Sequence, residues 1–132
     1  MRNIAPRAEP GAIRFTEREL DIMGVLWQHS PATVAEVQAR LEPVLAYTTV
    51  LTLLRTLESK GRVGHIRGEG LAHRYYPLVN QSTAGRDALR WLLARFFGQS
   101  PTALLAVLLD DSGVSVRELQ QVLTRSTRLD SE

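Results

Sequence analysis

Thr48, Thr49, Thr52, Arg55, Thr56 and Ser59 recur at the spacing that gathers residues on one side of an α-helix. Val50, Leu51, Leu53, Leu54 and Leu57, with Tyr47, gather on the other side. A merely solvated helix face is usually built from Glu, Lys and other strong helix formers, whereas threonine is a mediocre one. Four threonines and an arginine along one face therefore imply contact with something polar. Short hydroxyl side chains allow close approach to base edges, a threonine methyl meets a thymine methyl, and Arg55 pairs with guanine or clamps a phosphate. Thr48 and Thr49, near the helix start, suit a phosphate held at the N-terminus.

The other residues able to do chemistry offer less. His29, His65 and His73 have no nucleophile or paired carboxylates at an interpretable spacing, so no enzyme is expected. Cysteine is absent, which excludes disulfides, thiolate metal sites and thiol catalysis. No metal or cofactor is expected, although His65 and His73 as hairpin neighbours keep a shared ion or a pH-sensitive pair in view.

The elements that must position the polar face follow from start and stop signals. Thr16-Glu17-Arg18-Glu19 has capping-box spacing, Leu20, Met23, Leu26 and Trp27 recur at helical spacing after it, and His29-Ser30-Pro31 ends the helix. A second box, Thr33-Val34-Ala35-Glu36, opens a helix of about two turns whose Val34, Val37 and Leu41 line one side before Pro43. The third helix runs from about Tyr47 to Lys60, with Gly61 suited to a left-handed cap. Alternation then replaces helical spacing around Gly68-Glu69-Gly70, which predicts a β-hairpin. A three-residue loop there pairs Arg67 with Leu71, His65 with His73 and Val63 with Tyr75.

Three helices followed by a hairpin describe a winged helix-turn-helix in a mainly α protein, with helix 47–60 in the major groove. From Ala46 to Tyr76 the cations Arg55, Lys60, Arg62, Arg67 and Arg74 outnumber Glu58 and Glu69, whereas cations and acids balance from Asn80 onward. The excess sits where phosphates would be, and Arg67 and Arg74 are the candidate wing contacts. The DNA-binding candidates are therefore Thr48, Thr49, Thr52, Arg55, Thr56, Arg67 and Arg74.

Beyond Gln81 the pattern is again helical, with one helix from about Thr83 to Phe97, another after Ser100-Pro101 and a third after the box Ser115-Val116-Arg117-Glu118. Leu92, Phe96, Leu104, Leu105, Leu108, Leu119, Val122 and Leu123 carry more apolar surface than three short helices bury alone, so a partner copy of the chain is expected to cover it. The expected division is a flexible arm over 1–14, a winged helix over 15–79 and a helical dimerisation segment over 80–132. A length of 132 residues, 44% hydrophobic and 23% charged, suits one small folded domain with an appendage. With no signal peptide and no run of about 18 apolar residues, a cytoplasmic location is expected.

Glu19-Leu20-Asp21-Ile22-Met23 leading to Leu26-Trp27, Ser30-Pro31-Ala32-Thr33, Tyr47-Thr48-Thr49-Val50 leading to Leu53-Leu54 and Lys60-Gly61, and His73-Arg74-Tyr75-Tyr76-Pro77 together resemble the penicillinase-repressor (BlaI/MecI) family of winged-helix regulators. The resemblance covers nearly the whole chain after Phe15. It implies a homodimeric repressor that binds an inverted-repeat operator, with base-reading threonines at Thr49 and Thr52. Thr48 stands where the family often has lysine, and Thr56 where it often has arginine. Arg55 lies one place earlier, about 100° around the helix. Some relatives are cut by a partner sensor protease at an Asn-Phe bond, whose best match here is Val107-Leu108, so neither that cleavage nor a β-lactam response is carried over. Copper-responsive relatives use clustered cysteines, which this chain lacks. The rival to DNA binding is a winged-helix protein-docking module, which would favour aromatic and aliphatic anchors over threonines.

Overall fold

The computed structural model describes residues 10–68, 70, 72–111 and 113–130, with side chains through residue 126. Its elements are α1 (Glu17–Gln28), α2 (Val34–Ala39), α3 (Tyr47–Ser59), β1 (Val63–Arg67), β2 (His73–Pro77), α4 (Gln81–Phe96), α5 (Pro101–Asp111) and α6 (Val116–Asp130). The chain divides into two compact units, 1–88 and 89–132, with the boundary inside α4.

Both capping boxes of the first unit form. The Thr16 hydroxyl accepts from the Glu19 N–H while the Glu19 carboxylate accepts from the Thr16 N–H, and Thr33 and Glu36 do the same for α2. Each box satisfies amides that the first helical turn leaves without partners. Behind the caps, Ile22, Met23 and Leu26 of α1, Val34 and Val37 of α2, and Val50, Leu54 and Leu57 of α3 close one core with Ala32, Leu41, Val63 and Tyr75. The buried stripe of α1 is thus rotated from the expected one. Leu20 is 44% exposed, and Glu19 and Ile22 point inward instead. Glu19 tolerates burial because the Thr16 N–H and Lys60 Nζ, 2.9 Å away, satisfy its carboxylate.

The wing is a two-stranded antiparallel ladder pairing Val63 with Pro77, His65 with Tyr75 and Arg67 with His73. This corrects the expected register by two residues, because five residues, 68–72, separate the strands rather than three; Leu71 lies outside the described residues. A further contact pins β2 in place: Ala32 and Tyr75 exchange both backbone hydrogen bonds, at 3.0 and 2.8 Å, and bury the Tyr75 ring. A two-residue slip preserves the pleat, so His65 and His73 still share a face. Gly64 lets the Tyr76 ring lie across it, since a Cβ there would come within 2.8 Å of the ring's hydroxyl end and push it aside. Gly61, at φ 77°, makes the turn out of α3 in the left-handed region.

Three side chains fasten the ends of this unit. Trp27 Nε1 donates to the Val79 carbonyl at 2.8 Å. Asp87 of α4 accepts from the Gly11 N–H at 3.2 Å and the Ile13 N–H at 3.0 Å, and Arg62 donates to the Ala12 carbonyl at 2.8 Å. Residues 11–13 of the expected loose arm are therefore anchored, while 1–9 lie outside the described residues.

In the second unit, the Ser100 hydroxyl accepts from the Ala103 N–H to start α5, and Ser115 and Glu118 form the expected box before α6. None of the described side chains from 89 to 126 is buried. Phe96, Leu105, Val122 and Leu123 are all exposed. No single helix among the described residues is long and apolar enough to cross a membrane.

Candidate nucleic-acid interface

The division of α3 into two faces is carried through by burial. Val50, Leu54 and Leu57 are fully enclosed, whereas Thr48, Thr49, Thr52, Arg55 and Ser59 are exposed and Thr56 is half-buried. Thr56 Oγ1 donates to the Thr52 carbonyl and Ser59 Oγ to the Thr56 carbonyl, both at 2.9 Å. Those two hydroxyl protons serve the helix's own backbone, which leaves Thr48, Thr49 and Thr52 as the row best free to meet a ligand edge. The helix has no side-chain cap hydrogen bond at Ala46 and no acidic residue in its first turn, so its N-terminal amides face no competing carboxylate of that turn.

Arg55 lies at the edge of this face nearest the wing. It lines an open cleft of about 290 Å³ with Thr33, Val34, Tyr47, Leu51, Ala72, His73 and Tyr75. Burial pushes the Tyr75 phenol above its usual range and the Glu58 carboxylate adds to that, while the Arg55 guanidinium opposes it.

The two wing arginines are not brought together. Arg67 pairs with His73, and Arg74 pairs with Ile66 in the next position of the ladder, so their side chains leave opposite faces of the hairpin. Arg67 is exposed. Arg74 reaches back to α2, with Nη1 3.6 Å from Glu36 Oε1. The Thr33 N–H, then the Thr33 hydroxyl, and with them Arg74 and Arg40, hold the Glu36 carboxyl below its ordinary range. Of the cations counted between 46 and 76, Lys60 is held by Glu19, Arg62 by the Ala12 carbonyl and Arg74 by Glu36. Arg55 and Arg67 are the ones that no ion pair or carbonyl holds among the described residues.

The contact between Glu58 and His65 escapes the sequence reading, which weighs His65 only with His73. His65 Nδ1 makes a short hydrogen bond to Glu58 Oε2, joining β1 to α3. His65 also stacks on His73 with ring centroids 4.2 Å apart and planes 17° from parallel. The signal for this contact was weak: Glu58 is the sole acid of α3 and sits seven residues before His65 across a glycine turn.

The fold and the face of α3 define a winged-helix, DNA-binding transcriptional regulator. Residues 15–126 match the profile of the penicillinase repressor family, and the chain belongs to that family. It is 28% identical over 115 residues to the penicillinase repressor of Bacillus licheniformis, covering 83% of this chain and 89% of that one. It is also 40% identical over 79 residues to the transcriptional regulator BlaI of Mycobacterium tuberculosis, covering 58% of this chain and 53% of that one.

Proposed function

We propose that this protein is a homodimeric, non-catalytic repressor of the cytoplasm that binds an inverted-repeat operator, laying α3 in the major groove of each half-site. The observation that carries the reading is the exposed row Thr48, Thr49 and Thr52, backed by Val50, Leu54 and Leu57 in the core. A core-anchored helix presents its outer face at fixed height, as base reading demands. Thr49 and Thr52 read base edges. Arg55 and Arg67 hold phosphates, and Thr48 supports the phosphate at the helix start.

Dimerisation through 89–130 is supported by the absence of any buried side chain among the described residues of that unit, together with the exposure of Phe96, Leu105, Val122 and Leu123. Helical segments in which no described side chain beyond residue 88 is fully buried need a partner surface to repay the entropy of ordering them. Leu92, Leu104, Leu108 and Leu119 complete the proposed interface. Two copies related by a two-fold axis match a two-fold symmetric operator.

Fluorescence anisotropy with the duplex upstream of the gene, titrated across salt concentrations, tests the reading. Binding that weakens steeply with salt and prefers this duplex over scrambled sequence supports it. Absent or salt-independent binding sinks it in favour of a docking module.

A further inference from the structure

Glu58 presents a carboxylate on the reading helix, beside a surface meant for phosphates. It is held by a histidine of the wing, and that histidine is stacked on another. The groups on the side of the pair are Tyr47, Arg55 and Glu58 on α3, Arg67 on β1, and His73 and Tyr75 on β2, whereas Arg74 leaves the other face of the hairpin, paired to Glu36 of α2. We propose that Glu58, His65 and His73 form a proton-operated latch that tightens DNA binding as the solution is acidified; this rests on the reading of α3 and the wing as the DNA interface.

With a neutral imidazole, the His65 Nδ1–H donates to Glu58, and the negative charge of the carboxylate stands uncancelled near the reading face. An imidazole takes up a proton near pH 6.5, within reach of physiological change. A proton added at Nε2 of His65 turns the contact with Glu58 into a charge-assisted pair and cancels that charge. The wing is thereby bound more firmly to α3 at the moment that repulsion of phosphate is removed. His73, exposed and opposite Arg67, stacks on His65 with ring centroids 4.2 Å apart. Phosphates favour the protonated form of both rings, so DNA binding takes up protons and affinity rises as pH falls through the imidazole range.

The test is anisotropy on the full chain between about pH 5.5 and 8, at constant ionic strength, with a duplex recovered by in vitro selection from a random library. Affinity is expected to rise about fivefold or more toward the acid end in the unmodified protein and to stay nearly flat in His65→Gln/His73→Gln. Glu58→Gln is expected to bind more tightly than the unmodified protein at the alkaline end and to gain less on acidification. Nuclear magnetic resonance titration of the unmodified protein's imidazoles, with and without that duplex, keeps the question open to refutation if the double variant fails to fold. DNA must displace the titration of His65 or His73 upward. Equal pH slopes in the unmodified and double-variant proteins, or imidazole titrations indifferent to DNA, overturn the latch while leaving α3 as the reading helix. Absence of DNA binding at every pH overturns both.

Discussion

Lys60 Nζ lies 2.9 Å from Glu19 Oε2, tying the C-terminal cap of the reading helix to the first turn of α1. The carboxylate is 2% exposed and the lysine side chain 43%, so the pair is buried at one end and wet at the other. Burial pushes the Glu19 carboxyl up, but the Thr16 N–H and Lys60 outweigh it and hold the group below its usual value. A depressed folded value means that Glu19 contributes stability above the unfolded carboxyl value of about 4.3 and loses it as pH falls through the lower folded value. Replacing Glu19 with Gln is expected to flatten the acid limb of a plot of urea midpoint against pH. Lys60→Met strands a buried carboxylate and is expected to cost about 1–2 kcal/mol near neutrality, a figure kept small because the lysine is partly solvated.

Thr52 is exposed on the reading face, and its side-chain shape is preserved by valine. Thr52→Val is therefore expected to melt within about 2 °C of the parent while losing about 1 kcal/mol of preference between cognate and scrambled duplex. Competition anisotropy measures both affinities on one sample. An unchanged ratio would assign base reading to another face.

Arg55 sits at the wing-side edge of α3, beside His73 and Tyr75, away from the centre of the threonine row. That placement suits a backbone phosphate. Arg55→Ala is expected to weaken cognate and random DNA alike and to reduce the slope of log K against log salt by about one. A loss confined to cognate DNA would instead make Arg55 a base reader.

Arg74 is engaged by Glu36, whose carboxylate also closes the α2 capping box. Glutamine serves a capping box as well as glutamate does, so Glu36→Gln separates the two roles. The helix should remain, Arg74 should be released, and binding to random duplex should strengthen with a steeper salt dependence. Circular dichroism monitors the helix in the same preparation.

Leu105 is an exposed apolar residue of α5 in a unit without a buried side chain among those described. Leu105→Lys is expected to halve the mass found by sedimentation equilibrium and to abolish cooperative occupation of two half-sites, with half-site contact through α3 retained. A unit that sediments as a monomer before any substitution would remove the dimer.

Sequence alone determined whatever depends on neighbours a few residues apart. The boxes at Thr16, Thr33 and Ser115, the apolar and polar faces of Tyr47–Ser59 and the glycine after α3 are all set by local geometry, because helix caps and the 3.6-residue turn act within one or two turns. The family resemblance was legible for the same reason, since its motifs are short and contiguous. Tertiary structure decided whatever depends on partners from elsewhere in the chain. It turned Glu19 inward because Lys60, forty-one residues away, meets it, and it pinned β2 against the helices because Ala32 bonds to Tyr75. It also set Arg67 and Arg74 on opposite faces and placed His65 against Glu58, contacts that alternation and charge counting do not encode. Local periodicity supplies the reading helix; long-range packing decides which charges remain for DNA to meet.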